Sequence, residues 1–91
     1  MSINFLVLDI LKPHKPSIVE YAKELEKVNK SVVNIRVIEI DEKTESAEVT
    51  LSGKNINFKK INEIILKLGG SVHSVDEVCV GTKTIRNLKQ I

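Results

Sequence analysis

From Ile3 to Leu11 the chain reads INFLVLDIL, an apolar run broken only by Asn4 and Asp9. Its length and β-branched content predict a strand largely buried on both faces. Lys12-Pro13-His14-Lys15-Pro16 ends it, because proline lacks an amide donor and restricts the residue before it. Ile18, Tyr21, Ala22, Leu25 and Val28 then recur at helical spacing, with Glu20, Lys23, Glu24 and Lys27 on the opposite side. The helix starts either with Pro16 in its first turn or one residue later, with Ser17 as cap and Glu20 completing a capping box.

Period two returns between Ser31 and Glu42, where Val33, Ile35 and Val37 oppose Asn34 and Arg36. It resumes from Glu45 to Gly53, with Ala47, Val49 and Leu51 opposite Ser46, Glu48 and Thr50. The polar Asp41-Glu42-Lys43-Thr44 between them predicts a hairpin. Asn57 offers an N-cap for a second helix whose apolar stripe is Phe58, Ile61, Ile64, Ile65 and Leu68. Gly69-Gly70 stops that helix, since glycine readily takes the left-handed cap conformation. Val72 to Val80 is a last strand of conflicting parity: Val72, Val78 and Val80 alternate with Val75 and Cys79. A β-bulge would resolve the conflict.

The order strand, helix, strand, strand, helix, strand is that of a split βαβ unit. The expected fold is an α+β, ferredoxin-like βαββαβ sandwich: a four-stranded antiparallel sheet in the order 4-1-3-2 with two helices on one face. Residues 1–83 form the single domain and 84–91 a C-terminal tail. In this topology Lys12 and His14 should lie near His73 and Ser74. The hairpin with Glu39, Asp41 and Thr44 is expected at the opposite end, near Glu77 and Lys83. The free face of the sheet should carry Phe5, Val7, Ile38 and Ile40.

Composition narrows the function classes. Ninety-one residues suffice for one domain. With 3% aromatics the core must be aliphatic, and the net charge of +2 is too small to imply nucleic acid by itself. The single cysteine, Cys79, excludes an intramolecular disulfide and reads as a small buried hydrophobe. The apolar run 3–11 is too short to span a membrane and lacks the flanks of a signal peptide, so the expectation is a cytoplasmic protein without a membrane partner.

Three stretches resemble one archaeal family as a set: Leu6-Val7-Leu8-Asp9-Ile10-Leu11-Lys12-Pro13-His14 with Pro16-Ser17-Ile18-Val19; Val33-Asn34 with Glu39, Asp41 and Thr44; and Gly69-Gly70-Ser71-Val72-His73-Ser74-Val75-Asp76-Glu77-Val78 with Gly81. The family is the uncharacterised ArCR group, a domain of unknown function, and the resemblance extends to about Lys83. It implies a ferredoxin-like fold, an archaeal source and ring-shaped homo-oligomers. It implies no established activity and no catalytic residue.

The residues themselves suggest four sites. Lys12, His14, His73 and Ser74 are ligand or anion candidates, because converging histidines bind transition metals and a lysine beside a helix amino end suits an anion. Glu39, Asp41, Asp76 and Glu77 are metal candidates, their oxygens suiting a divalent cation, calcium or magnesium, as the one candidate cofactor. Asp9, a carboxylate inside an apolar strand, needs a partner, for which Asn34 and Arg36 are structural or interface candidates. Lys83, Arg86 and Lys89 make the tail a candidate phosphate contact.

Other functions of this topology lack their residues here. No stacking aromatics stand ready for RNA, no Cys-x-x-Cys for metal transfer and no glycine-rich anion cradle for phosphate hydrolysis. The leading expectation is a non-enzymatic, self-associating binding or regulatory module, with ion or small-ligand sites between subunits. One alternative is a small enzyme using His14 and His73 with Asp9 or Lys12. Another is nucleic-acid binding through the basic tail.

Overall fold

The computed structural model describes residues 2–82. Its elements are β1 (Ile3–Pro13), α1 (Ile18–Asn29), β2 (Val32–Ile40), β3 (Thr44–Ser52), α2 (Phe58–Lys67) and β4 (Ser71–Val80). One sheet holds all four strands, antiparallel and in the order β2-β3-β1-β4, which is the predicted order read from the other edge. Lys83 and the proposed tail, 84–91, lie outside the described residues.

Alternation along β1 and β3 sets the two faces. Leu6, Leu8 and Ile10 stand opposite Leu51, Val49 and Ala47. These six, with Tyr21 and Leu25 of α1 and Ile61 and Ile65 of α2, form one buried core. Both helices therefore cover the same side of the sheet. Burying each large aliphatic side chain contributes roughly 1.5–3 kcal/mol, which is how so short a chain holds a fold with few aromatics.

The caps are those the residues allow. Ser17 is the N-cap of α1, its Oγ accepting from the Glu20 amide, so Pro16 stands outside the helix. Asn57 caps α2, its Oδ1 accepting from the Lys60 amide at 3.1 Å. At the other end of α2 the Gly69 amide donates to Leu66 O and the Gly70 amide to Ile65 O, with Gly69 at φ +92°. That pair of bonds satisfies two terminal carbonyls and needs the left-handed residue.

Three expectations are corrected. First, β1 does not stop at Leu11: Lys12 and Pro13 stay in the ladder opposite Glu45 and Thr44. Proline is tolerated there because it closes the strand. Second, the hairpin end lies beside the end of β1 and the start of β4, not near Glu77. Pro13 faces Thr44, Leu11 faces both Ser46 and Ser71, and Glu77 faces Val7 farther back. Antiparallel pairing of β1 with β3 requires this. Third, Phe5 and Val7 are buried, while Ile38 and Ile40 are exposed. A register shift between Val37 and Glu39 puts Ile40 opposite Glu45, on the helix-facing side beyond the helices' cover.

The parity conflict in β4 is resolved by two bulges. Leu6, Leu8 and Ile10 face Val78, Val75 and Val72, with shifts between Val7 and Leu8 and between Asp9 and Ile10. Asp76 and His73 are the extra residues. Each adds one position, so three valines spaced three apart all reach the same side of the sheet.

Candidate functional site

The densest set of polar contacts lies where the end of β1 meets the β2–β3 turn. Lys12 is placed by the β1 ladder opposite Glu45, on the core-facing side. Its side chain is fully buried, and Nζ donates to Glu45 Oε1 at 3.0 Å and to Pro13 O at 2.7 Å. The ammonium also sits 5.2 Å from the centre of the Tyr21 ring. A carboxylate, a carbonyl and an aromatic face thus surround the buried ammonium and offset the cost of taking it from water.

Glu45 carries a second cation. Its Oε2 lies 3.0 Å from His14 Nδ1, while His14 Nε2 lies 3.0 Å from Glu42 O. These contacts raise the His14 pKa above its ordinary 6.5, the Glu45 hydrogen bond being the largest cause and the Glu42 carbonyl the next. They lower that of Glu45 below 4.5, chiefly through His14 and then Lys12. Tyr21 closes the floor: its hydroxyl donates to Leu68 O at 3.0 Å, and burial raises its pKa.

A second set crosses the open face of the sheet in one row. Arg36 stands opposite Glu48, Glu48 opposite Asp9, and Asp9 opposite Ser74. Arg36 Nη2 donates to Glu48 Oε1 at 3.2 Å, and His73 Nδ1 lies 3.4 Å from Asp9 Oδ2. Two facing carboxylates are unfavourable alone, and here a potential cation stands on each flank. Asp9 is thus answered by His73 from the bulge of β4, not by Arg36 or Asn34; Arg36 serves Glu48, and Asn34 stands opposite Thr50.

The sequence candidates therefore divide. Lys12 and His14 come together through Glu45, whereas His73 and Ser74 stand three residues back along β1, beside Asp9. Ser74 Oγ donates to Asp76 Oδ1 at 2.6 Å. Glu39, Asp41 and Asp76 are exposed, Glu77 and Cys79 half-buried. Among the described residues no group of three His, Cys, Asp or Glu side chains is spaced to hold a metal ion. No helix among them is long and apolar enough to cross a membrane.

Glu45 and Glu48 are not among the site candidates the sequence suggests, although the strand ladder pairs both with residues that are. Once Leu8 faces Val49, the same register sets Asp9 against Glu48 and Lys12 against Glu45. A hollow of about 180 Å³, lined by Lys12, Pro13, Thr44, Gly70 and Ser71 among others, lies alongside the first cluster.

The ArCR family model, described as uncharacterized, matches residues 4–91. An uncharacterized protein of Methanocaldococcus jannaschii is 49% identical over 88 residues, covering 96% of this chain and 91% of that protein.

Proposed function

The chain belongs to the uncharacterized ArCR family, and on that footing we propose that it is a non-enzymatic module that works by self-association. The observation carrying this reading is the apolar character of both sheet edges. On β2, Val32, Ile38 and Ile40 are 56–72% exposed; on β4, Val75, Val78 and Val80 are 48–52% exposed. Exposed β-branched residues on edge strands invite pairing with another chain. Since the two edges are different surfaces, joining β2 of one copy to β4 of the next is a head-to-tail contact, which repeats into a ring if the rotation closes.

Such a contact would bring Glu39 and Asp41, at the end of β2, toward the strand that carries Asp76. A divalent cation held between copies is the ligand this arrangement favours. The two histidines turn to different carboxylates, which gives the enzyme reading no shared centre.

Light scattering at low micromolar concentration, with and without calcium, tests the proposal. A mass several times that of the chain is expected, falling to one chain in a Val78→Lys, Ile38→Lys double variant. A wild-type monomer under both conditions would refute it.

A further inference from the structure

We propose that His14 is a proton-operated latch tying the β1–α1 connection to the β2–β3 turn. The claim stands apart from self-association and rests on a mismatch of hydrogen-bonding roles. Both ring nitrogens face acceptors: Nδ1 a carboxylate oxygen of Glu45 and Nε2 the carbonyl of Glu42. A neutral imidazole has only one N–H to give, so one of the two contacts must lose its hydrogen bond on deprotonation. An imidazolium satisfies both. The latch is therefore closed by a proton and half-undone without one.

Its position gives that proton mechanical reach. His14 follows Pro13, the last residue of β1, and every group it grips belongs to the turn or to the first residues of β3. The groups facing it are Glu45 from β3, with Lys12 of β1 on that carboxylate's other oxygen, and the Glu42 and Asp41 backbone of the turn. Lys15 follows it in the chain. The His14 side chain is 41% exposed, so bulk protons reach it. The turn's closing bond, Asp41 amide to Thr44 O at 2.8 Å, lies within the gripped segment and reports its closure. On release, the Lys12–Glu45 pair still anchors the base of β3, and the tip of the turn is what loosens.

Two measurements on the whole chain decide it. NMR titration should show His14 protonated to a higher pH than a free histidine, with both ring nitrogens carrying hydrogen at the acid end. Amide exchange at Asp41, corrected for intrinsic rates, should quicken several-fold as the pH rises through the His14 midpoint. In His14→Gln that step should vanish, while Lys12 and Glu45 keep their pairing. In Glu45→Gln, if folded, the His14 midpoint should fall toward that of the free side chain. An ordinary wild-type midpoint, or Asp41 exchange with no step at it, would overturn the latch.

Discussion

Lys12 Nζ lies 3.0 Å from Glu45 Oε1, with none of the lysine side chain exposed and only 15% of the glutamate's. An ammonium so placed has that carboxylate as its counter-charge. Breaking a buried pair by removing one partner typically costs about 3–5 kcal/mol, so Lys12→Ala should destabilise the fold by about 3 kcal/mol. Lys12→Met keeps the packing against Tyr21 and should cost roughly half as much, because water and His14 still reach Glu45. Urea midpoints of the two variants check the ranking; equal losses would mean that the ion pair alone matters there.

Acid and base should act on opposite limbs of the stability curve. The raised pKa of His14 means that its contribution is full below 6.5 and is lost as the pH climbs through the higher folded-state value. The lowered pKa of Glu45 means that its contribution is full above 4.5 and is lost as the pH drops through the lower folded-state value. Thermal midpoints should therefore be highest between those limits. His14→Gln should flatten the alkaline limb, and a limb that stays steep would assign it to another group. Solvent screening of the exposed imidazole keeps the amplitude small.

Gly70 is fixed by proximity. A Cβ there would stand 2.9 Å from Tyr21 Oη and 3.0 Å from Leu11 O. Gly70→Ala should cost about 1–3 kcal/mol, as overpacked sites do. Tyr21→Phe removes one of the two obstructing oxygens. The double variant should thus lose less than the sum of the single losses, a coupling that a double-mutant cycle in urea would reveal.

Core and edge positions should separate stability from assembly. Leu8→Ala, at a fully buried position, should cost about 2–5 kcal/mol. Val78→Ser, at a position 52% exposed, should cost under about 0.5 kcal/mol within one chain. Its effect should appear instead as a lower mass in light scattering. A Val78→Ser variant that unfolds as readily as Leu8→Ala would place Val78 in the core.

The fold was legible because each element carried its own periodicity. Ala47, Val49 and Leu51 alternate strictly with Ser46, Glu48 and Thr50, Ile61 and Ile65 are one helical turn apart, and Asn57 and Gly69 punctuate α2 as caps should. The clusters were harder to read because they depend on register. Lys12 and Glu45 are 33 positions apart and share no local pattern. Only extending the β1–β3 ladder past a proline brings them together, and Pro13 looked like a stop. The end of the sheet at which the hairpin lies depends on register in the same way, since the direction of β3 decides which strand ends meet. Asp9 announced that it needed a partner, but the partner came from His73 through a bulge, and parity alone does not say where a bulge falls.

The spacing of Val72, Val75 and Val78 sets unequal tolerances for change along β4. Replacing His73 or Asp76 alters a side chain at a bulge and leaves the valines in phase. Deleting either residue, or inserting one beside it, would turn every valine beyond that point to the other side. In a library of variants, this segment should accept many substitutions and almost no change of length.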